Sequence, residues 1–188
     1  FTLLAPMYKG IRQTFVNFDA ETIDDLKGCK LRVAGLQPVL DCFTCMGVAP
    51  TPMSTSEVYT AMSQNVVEGM EIEMSTAASM ALQEVTKTVM MTNHGAANYA
   101  ILVPTKYYTE LPADVQEAFD KAATECGTWL ADQVEQQDAD ALKVFEDAGC
   151  KIVYPDYSAW ETAAYGSYAE MYPELAKYAT AMKEAAHS

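Results

Sequence analysis

The sequence predicts an α/β protein made of two lobes that share segments of one chain. Three observations carry this reading. Short apolar runs that suit strands alternate with runs of helical spacing, the pattern that builds a sheet flanked by helices. Several connections between these elements are short. One periodic segment, Pro112 to Asp147, is out of proportion to the rest: as a single helix it spans roughly 54 Å, long for one small lobe and suited to a strut along two.

Taken in order, Phe1 to Met7 is apolar, contains Pro6 and reads as a strand or linker. Gly10 to Phe18 carries Arg12 and the run Thr14-Phe15-Val16, which predicts a strand. Ala20 to Lys27 is polar and reads as a turn with a short helical segment. Cys29 to Ala34 is a strand. Leu36, Val39, Leu40, Phe43 and Met46 recur at helical spacing, and Gly47 suits the stop. Val48 to Met53 is held extended by Pro50 and Pro52. Ser54 and Glu57 form a capping-box pattern ahead of a helix with Val58 and Met62 on one face.

Val66-Val67 predicts a short strand that breaks at Gly69, followed by a helix from Ile72 to Glu84. Val85 to Met91 is a strand interrupted by Asn93-His94-Gly95, and Tyr99 to Val103 a further strand stopped by Pro104. In the long segment Val115, Phe119, Ala122, Ala123, Cys126, Trp129 and Leu130 lie on one helical face. Gly127 and the polar stretch Gln133 to Asp140 are expected to kink or weaken it. Gly149 ends it. Lys151 to Tyr154 is a strand, Pro155-Asp156 a turn, and Ser158 onward a helix to the C-terminus. There is no internal repeat.

The 188 residues suit one domain or two small lobes, and 50% hydrophobic residues can bury a core. The net charge of −14 argues against nucleic acid and against an anionic membrane surface, both of which need a basic face. It leaves an anionic small ligand open, because the local field of a pocket can oppose the net charge. No run approaches the ~20 apolar residues of a membrane span. The first residue is Phe1 and nothing near it resembles a signal peptide, so the chain is expected to be processed or a fragment.

No nucleophile elbow, phosphate loop, dinucleotide fingerprint or HExxH is present. Of five cysteines, Cys42 and Cys45 have the CxxC spacing, open to redox chemistry or half of a metal site. Their apolar helical surroundings favour packing. His94 suits a hydrogen-bonded turn better than catalysis, and His187 stands one residue from the C-terminus. Glu57, Glu68, Glu71 and Glu73 suit a cap and a solvated edge better than a metal site. No metal and no cofactor are expected. The arginines are more informative. Among 12 Lys+Arg only Arg12 and Arg32 are arginine, and both fall in or beside strands. A guanidinium pairs bidentately with a carboxylate and keeps its charge when partly buried. The residues leave two options open: a structural ion pair or an anion site.

The ordered motifs Gly10-Ile-Arg12, Asp25-Leu-Lys-Gly28, Lys30-Leu-Arg32-Val33, Gly47-Val-Ala-Pro-Thr-Pro-Met53, Ser56-Glu-Val-Tyr59, Val67-Glu-Gly69-Met-Glu71 and Thr92-Asn-His94 resemble the extracytoplasmic substrate-binding proteins of TRAP (tripartite ATP-independent periplasmic) transporters. Tyr107 to Gln116 fits as well, and the likeness covers about residues 10 to 155. It implies a two-lobed periplasmic-binding-protein-like fold with a long helix along both lobes, of which this chain is the C-terminal portion, lacking the N-terminal part of the first lobe. On that pattern 1–9 is a segment from the missing first lobe, 10–97 and 138–188 form the second lobe, and 98–137 completes the first.

The resemblance also implies a periplasmic or extracytoplasmic receptor, not an enzyme. It would bind a small organic anion, a carboxylate or a sulfonate, by hinged closure, and pass it to membrane transporter subunits without itself spanning the membrane. Arg32 matches the family's carboxylate anchor and Arg12 its supporting arginine. Leu36, Thr55 and Tyr99 fall at wall positions. Ile72 stands where a ligand-binding asparagine is usual, and Thr55 where an aromatic is frequent, so a smaller or less polar anion is expected than a sialic-acid-like one. The alternatives are a ligand-sensing input domain of the same fold and, less favoured, an α/β enzyme using His94.

Overall fold

The computed structural model describes residues 1–178, 180 and 181, so His187 lies outside the described residues; the helix predicted from Ser158 to the C-terminus is interrupted within them, where it ends at Met171 ahead of Pro173. Among the described residues there are six strands: β1 (Thr2–Val16), β2 (Lys30–Val33), β3 (Ala49–Pro52), β4 (Gly69–Glu73), β5 (Thr88–Val103) and β6 (Lys151–Val153). They are accompanied by the α-helices α1 (Gln37–Cys45), α2 (Val58–Ser63), α3 (Met74–Ser79), α4 (Thr105–Thr109), α5 (Ala113–Asp147) and α6 (Ser158–Met171). The mixed α/β class predicted from alternation is the one observed.

The chain divides into two compact units. Unit 1 holds Phe1–Gln13, Ile72–Glu84 and Asn93–Cys150; unit 2 holds Thr14–Glu71, Val85–Thr92 and Lys151–Ser188. Strands β1, β4 and β5 pass from one unit into the other along the chain.

Unit 2 contains part of every strand, in the order β3-β2-β4-β1-β5-β6. β2 lies parallel to both β3 and β4, with Arg32 opposite Thr51 on one side and Met70 on the other. A strand paired on both edges and covered on its faces reads as a continuous apolar run, and Leu31 and Val33 are buried beside Arg32. The core joins Val16, Leu26, Cys29, Leu31, Val33, Phe43, Met46, Val48, Met90 and Trp160. Phe43 of α1 meets Trp160 of α6 edge-on, with centroids 6.1 Å apart, a favoured aromatic geometry. The predicted turn at Ala20–Lys27 carries a 3-10 helix at Ile23–Leu26, whose Ile23 and Leu26 reach this core.

Further local expectations are corrected. Val66-Val67 is not a strand and Gly69 is not a break: β4 begins at Gly69 and continues through Ile72, so the helix after it starts only at Met74. A Cβ at Gly69 would fall inside contact distance of the Phe15 carbonyl oxygen, so the missing side chain permits close strand approach. Asn93-His94-Gly95 does not interrupt β5, which runs through 16 residues. Finally, α5 runs unbroken through Gly127 and Gln133–Asp140.

The buried residues of α5 are Ala123, Val134, Ala141 and Phe145, whereas Trp129 is 61% exposed and Phe119 39%. The small-residue face explains this difference from the predicted stripe. A Cβ at Gly127 would stand 3.0 Å from the Pro6 carbonyl oxygen, so the helix approaches β1 at Gly127, while Phe119 and Trp129 stay on its more exposed side and Phe145 is buried.

Candidate functional site

In unit 2 the site is built around Arg32. Its residue is 5% exposed, and an arginine taken from water needs every available partner. Nε and Nη2 both donate to the Met53 carbonyl at 3.0 Å, and Nη2 also donates to Thr55 Oγ1 at 2.8 Å. These acceptors flank Ser54, where β3 gives way to α2. There the capping box forms as predicted: the Ser54 N–H donates to Glu57 Oε2 at 3.3 Å. The cap therefore fixes the backbone that presents an acceptor on each side of it. Thr55, read from sequence only as a wall position, is also a partner of the arginine. Leu36 precedes α1 and is 62% exposed.

In unit 1 Arg12 Nη1 donates to Glu73 Oε1 at 2.6 Å, and Lys9 Nζ donates to Glu73 Oε2 at 2.9 Å. The Glu73 side chain is 1% exposed. Lys9 also lies over the Tyr99 ring, 5.3 Å from its centroid, within cation–π range. Burial pulls the Lys9 pKa down, but the hydrogen bond and charge of Glu73, with help from Tyr99, outweigh it and leave the pKa above the usual lysine value. Tyr99 itself is largely exposed, while Ile72 is buried in β4.

Of the six predicted site residues, Arg32 and Thr55 are in direct contact; Leu36 shares their unit, and Arg12, Ile72 and Tyr99 belong to unit 1. Sequence reasoning missed the Met53 carbonyl, which leaves no side-chain signal. It also missed Lys9 and the role of Glu73, for which the unusual Gly10 two residues before Arg12 is the available clue.

Burial pushes the Cys29 thiol up to about 12, with the Glu68 charge adding to it. Burial also raises the Cys42 thiol, with Cys45 and Glu71 adding to the shift. Suppressed thiolates are poor nucleophiles and metal ligands, and both residues pack in or against the unit 2 core. Glu68 accepts from the Lys30 N–H at 2.9 Å. Among the described residues no group of three or more His, Cys, Asp or Glu side chains is placed to hold a metal ion, and no helix is long and apolar enough to cross a membrane.

Residues 1–175 match the family model described as bacterial extracellular solute-binding protein, family 7. The chain is 32% identical over 163 residues to the sialic acid-binding periplasmic protein SiaP of Vibrio cholerae, covering 87% of this chain and 51% of that protein. It is 30% identical over 142 residues to the C4-dicarboxylate-binding periplasmic protein DctP of Rhodobacter capsulatus, covering 73% and 43%. The chain thus spans about half the length of these curated relatives. Among solved structures, a TRAP periplasmic solute binding protein of Chromohalobacter salexigens with bound D-glucuronate superposes with a TM-score of 0.87 at 26% identity, over 97% of this chain and 62% of that one. An apo, open TRAP periplasmic solute binding protein of Citrobacter koseri gives a TM-score of 0.88 at 23% identity over 97% and 63%, a likeness of fold.

Proposed function

The chain belongs to the bacterial extracellular solute-binding proteins of family 7, and from that membership we propose that it is part of an extracytoplasmic receptor for a small organic anion, serving a TRAP-type membrane transporter. The observation that carries the proposal is the state of Arg32: a buried guanidinium whose direction is set by a main-chain carbonyl and a hydroxyl.

In this reading Arg32 takes the ligand's carboxylate or sulfonate, Arg12 supports it, and Leu36, Thr55, Ile72 and Tyr99 shape the wall. Lobe closure shuts the ligand from water, which strengthens a charge-assisted contact. The relatives named for sialic acid, C4-dicarboxylates and D-glucuronate all take acids, which agrees with an arginine anchor. The apolar Ile72 favours an anion with fewer hydroxyl groups.

The test is calorimetry on the protein with the acid recovered from it by mass spectrometry. Truncating one partner of a buried charged contact costs ~2–5 kcal/mol, so Arg32→Ala is expected to abolish measurable binding. Arg32→Lys keeps the charge and the fold but loses the planar fork, and is expected to bind weakly. Unchanged affinity in both variants overturns the assignment.

A further inference from the structure

We propose that Glu73 is a positioning residue for Arg12: a buried carboxylate that, with Lys9 on its second oxygen, holds the guanidinium in one orientation before any anion arrives. The ligand-related part of this rests on the reading of Arg12 as a supporting anchor.

The geometry begins with the backbone. Lys9 and Arg12 are three residues apart on β1, and a regular strand sends such residues to opposite faces. Here both reach the same carboxylate, at 2.9 and 2.6 Å. The residue between them that breaks the alternation is Gly10, at φ +120, a region that only glycine enters readily. The position has no room for a side chain either, since a Cβ there would stand 2.8 Å from Asp138 Oδ2. Asp138 is itself fixed, because its Oδ1 accepts from the Ser75 N–H at 3.0 Å. Ser75 stands two residues after Glu73, at the start of α3. The bend in β1, the end of β4 and a carboxylate of α5 therefore bracket Glu73.

Burial makes Glu73 a fixed point. An ionised carboxylate withdrawn from water is tolerated only when paired, and each Glu73 oxygen has its own cation. The cations are less enclosed, with side chains 28% exposed for Lys9 and 25% for Arg12. Strand alternation also separates Glu73 from its neighbour: the apolar Ile72 and the charged Glu73 leave β4 on opposite faces. A guanidinium already held in place loses less freedom when it meets an anion. Glu73 would thus act on affinity without touching the ligand.

The experiment has two readouts. With only two arginines in the chain, the Arg12 guanidinium is resolvable by nitrogen-15 NMR. Its rotation about the Nε–Cζ bond is expected to be slow in the ligand-free protein and clearly faster in Glu73→Gln. The second readout is affinity for succinate, a C4-dicarboxylate with no hydroxyl group, in a double-mutant cycle. Glu73→Gln is expected to weaken binding about tenfold, the scale of ordering one rotamer-rich side chain, and to have no further effect in an Arg12→Ala background. A Glu73→Gln protein that melts earlier while Arg12 rotation is unchanged overturns the proposal, because Glu73 is then only structural. If rotation responds but Arg12→Ala leaves affinity intact, the positioning role stands and the supporting-anchor reading falls.

Discussion

Gln13 and Asn93 hold each other through two hydrogen bonds. The Asn93 N–H donates to Gln13 Oε1 at 3.0 Å, and Gln13 Nε2 donates to Asn93 Oδ1 at 2.8 Å. Asn93 sits at φ 46, a left-handed conformation that asparagine tolerates better than most residues. A side-chain amide thus takes up the polar groups at the one irregular point of β5, and the strand continues. Gln13 is 4% exposed, so Gln13→Ala removes a donor and an acceptor from a buried position. A loss of ~1–3 kcal/mol is expected, read as a lower urea midpoint. Asn93→Gly keeps the backbone conformation and should lose less than Asn93→Ala.

Gly69 is predicted to be intolerant of any side chain. Besides the Phe15 carbonyl oxygen, an added Cβ would meet Val16 Cγ1 at 2.8 Å and Leu31 Cδ1 at 3.1 Å. Backbone cannot yield as a flexible side chain can, so Gly69→Ala should cost ~3 kcal/mol or more, the upper end for overpacking. Gly28, with nothing within 4 Å of its Cβ but φ +74, provides the control. Gly28→Ala bears only the left-handed penalty of roughly 1–2 kcal/mol. Equal losses at the two positions in urea denaturation would contradict the packing account.

These positions show what the sequence conveyed and what it did not. β2, α1, β3 and the Ser54–Glu57 cap were legible because each is set by neighbours within a few residues: apolar spacing, proline and capping chemistry. β4 and β5 were misread because Gly69 and Asn93 look like breakers locally. Phe15 and Gln13, which give those residues their roles, lie 54 and 80 positions away. The same distance hid Glu73: its cations come from 61 and 64 residues earlier in the chain, whereas in sequence it is one acid among several. Arg32 was legible as an anchor candidate because an arginine in an apolar strand is unusual in itself. Its Met53 carbonyl partner was not, since a main-chain acceptor has no sequence signature.

The cysteines should separate by reactivity. All five are thiols, and Cys126 on α5 is exposed. Cys29 is held far above the ordinary thiol range, and burial raises Cys42 and Cys150 as well. Alkylation needs the thiolate and access to it. Iodoacetamide at neutral pH is therefore expected to label Cys126 first and to leave Cys29 unmodified until the protein unfolds, as read by peptide mass mapping. Early labelling of Cys29 or Cys42 would reopen the redox reading of the CxxC pair.

Acid stability is predicted to depend on Asp25. Its Oδ2 accepts from the Glu21 N–H at 2.9 Å, the Thr22 N–H at 2.9 Å and Thr22 Oγ1 at 3.1 Å. The backbone donors of Glu21 and Thr22 favour the ionised form and hold the carboxyl below its usual 3.8. Because the folded-state pKa is the lower one, the unfolded chain takes up the proton first as the pH falls. The contribution is then complete above 3.8 and is lost as the pH drops through the folded value. Asp25→Asn cannot titrate and makes weaker bonds to the same donors. It should be less stable than wild type at neutral pH, and the difference should shrink on acidification below 3.8. Urea midpoints measured across that range decide it. A difference that stays constant with pH would show that Asp25 acts through its shape and not through its charge.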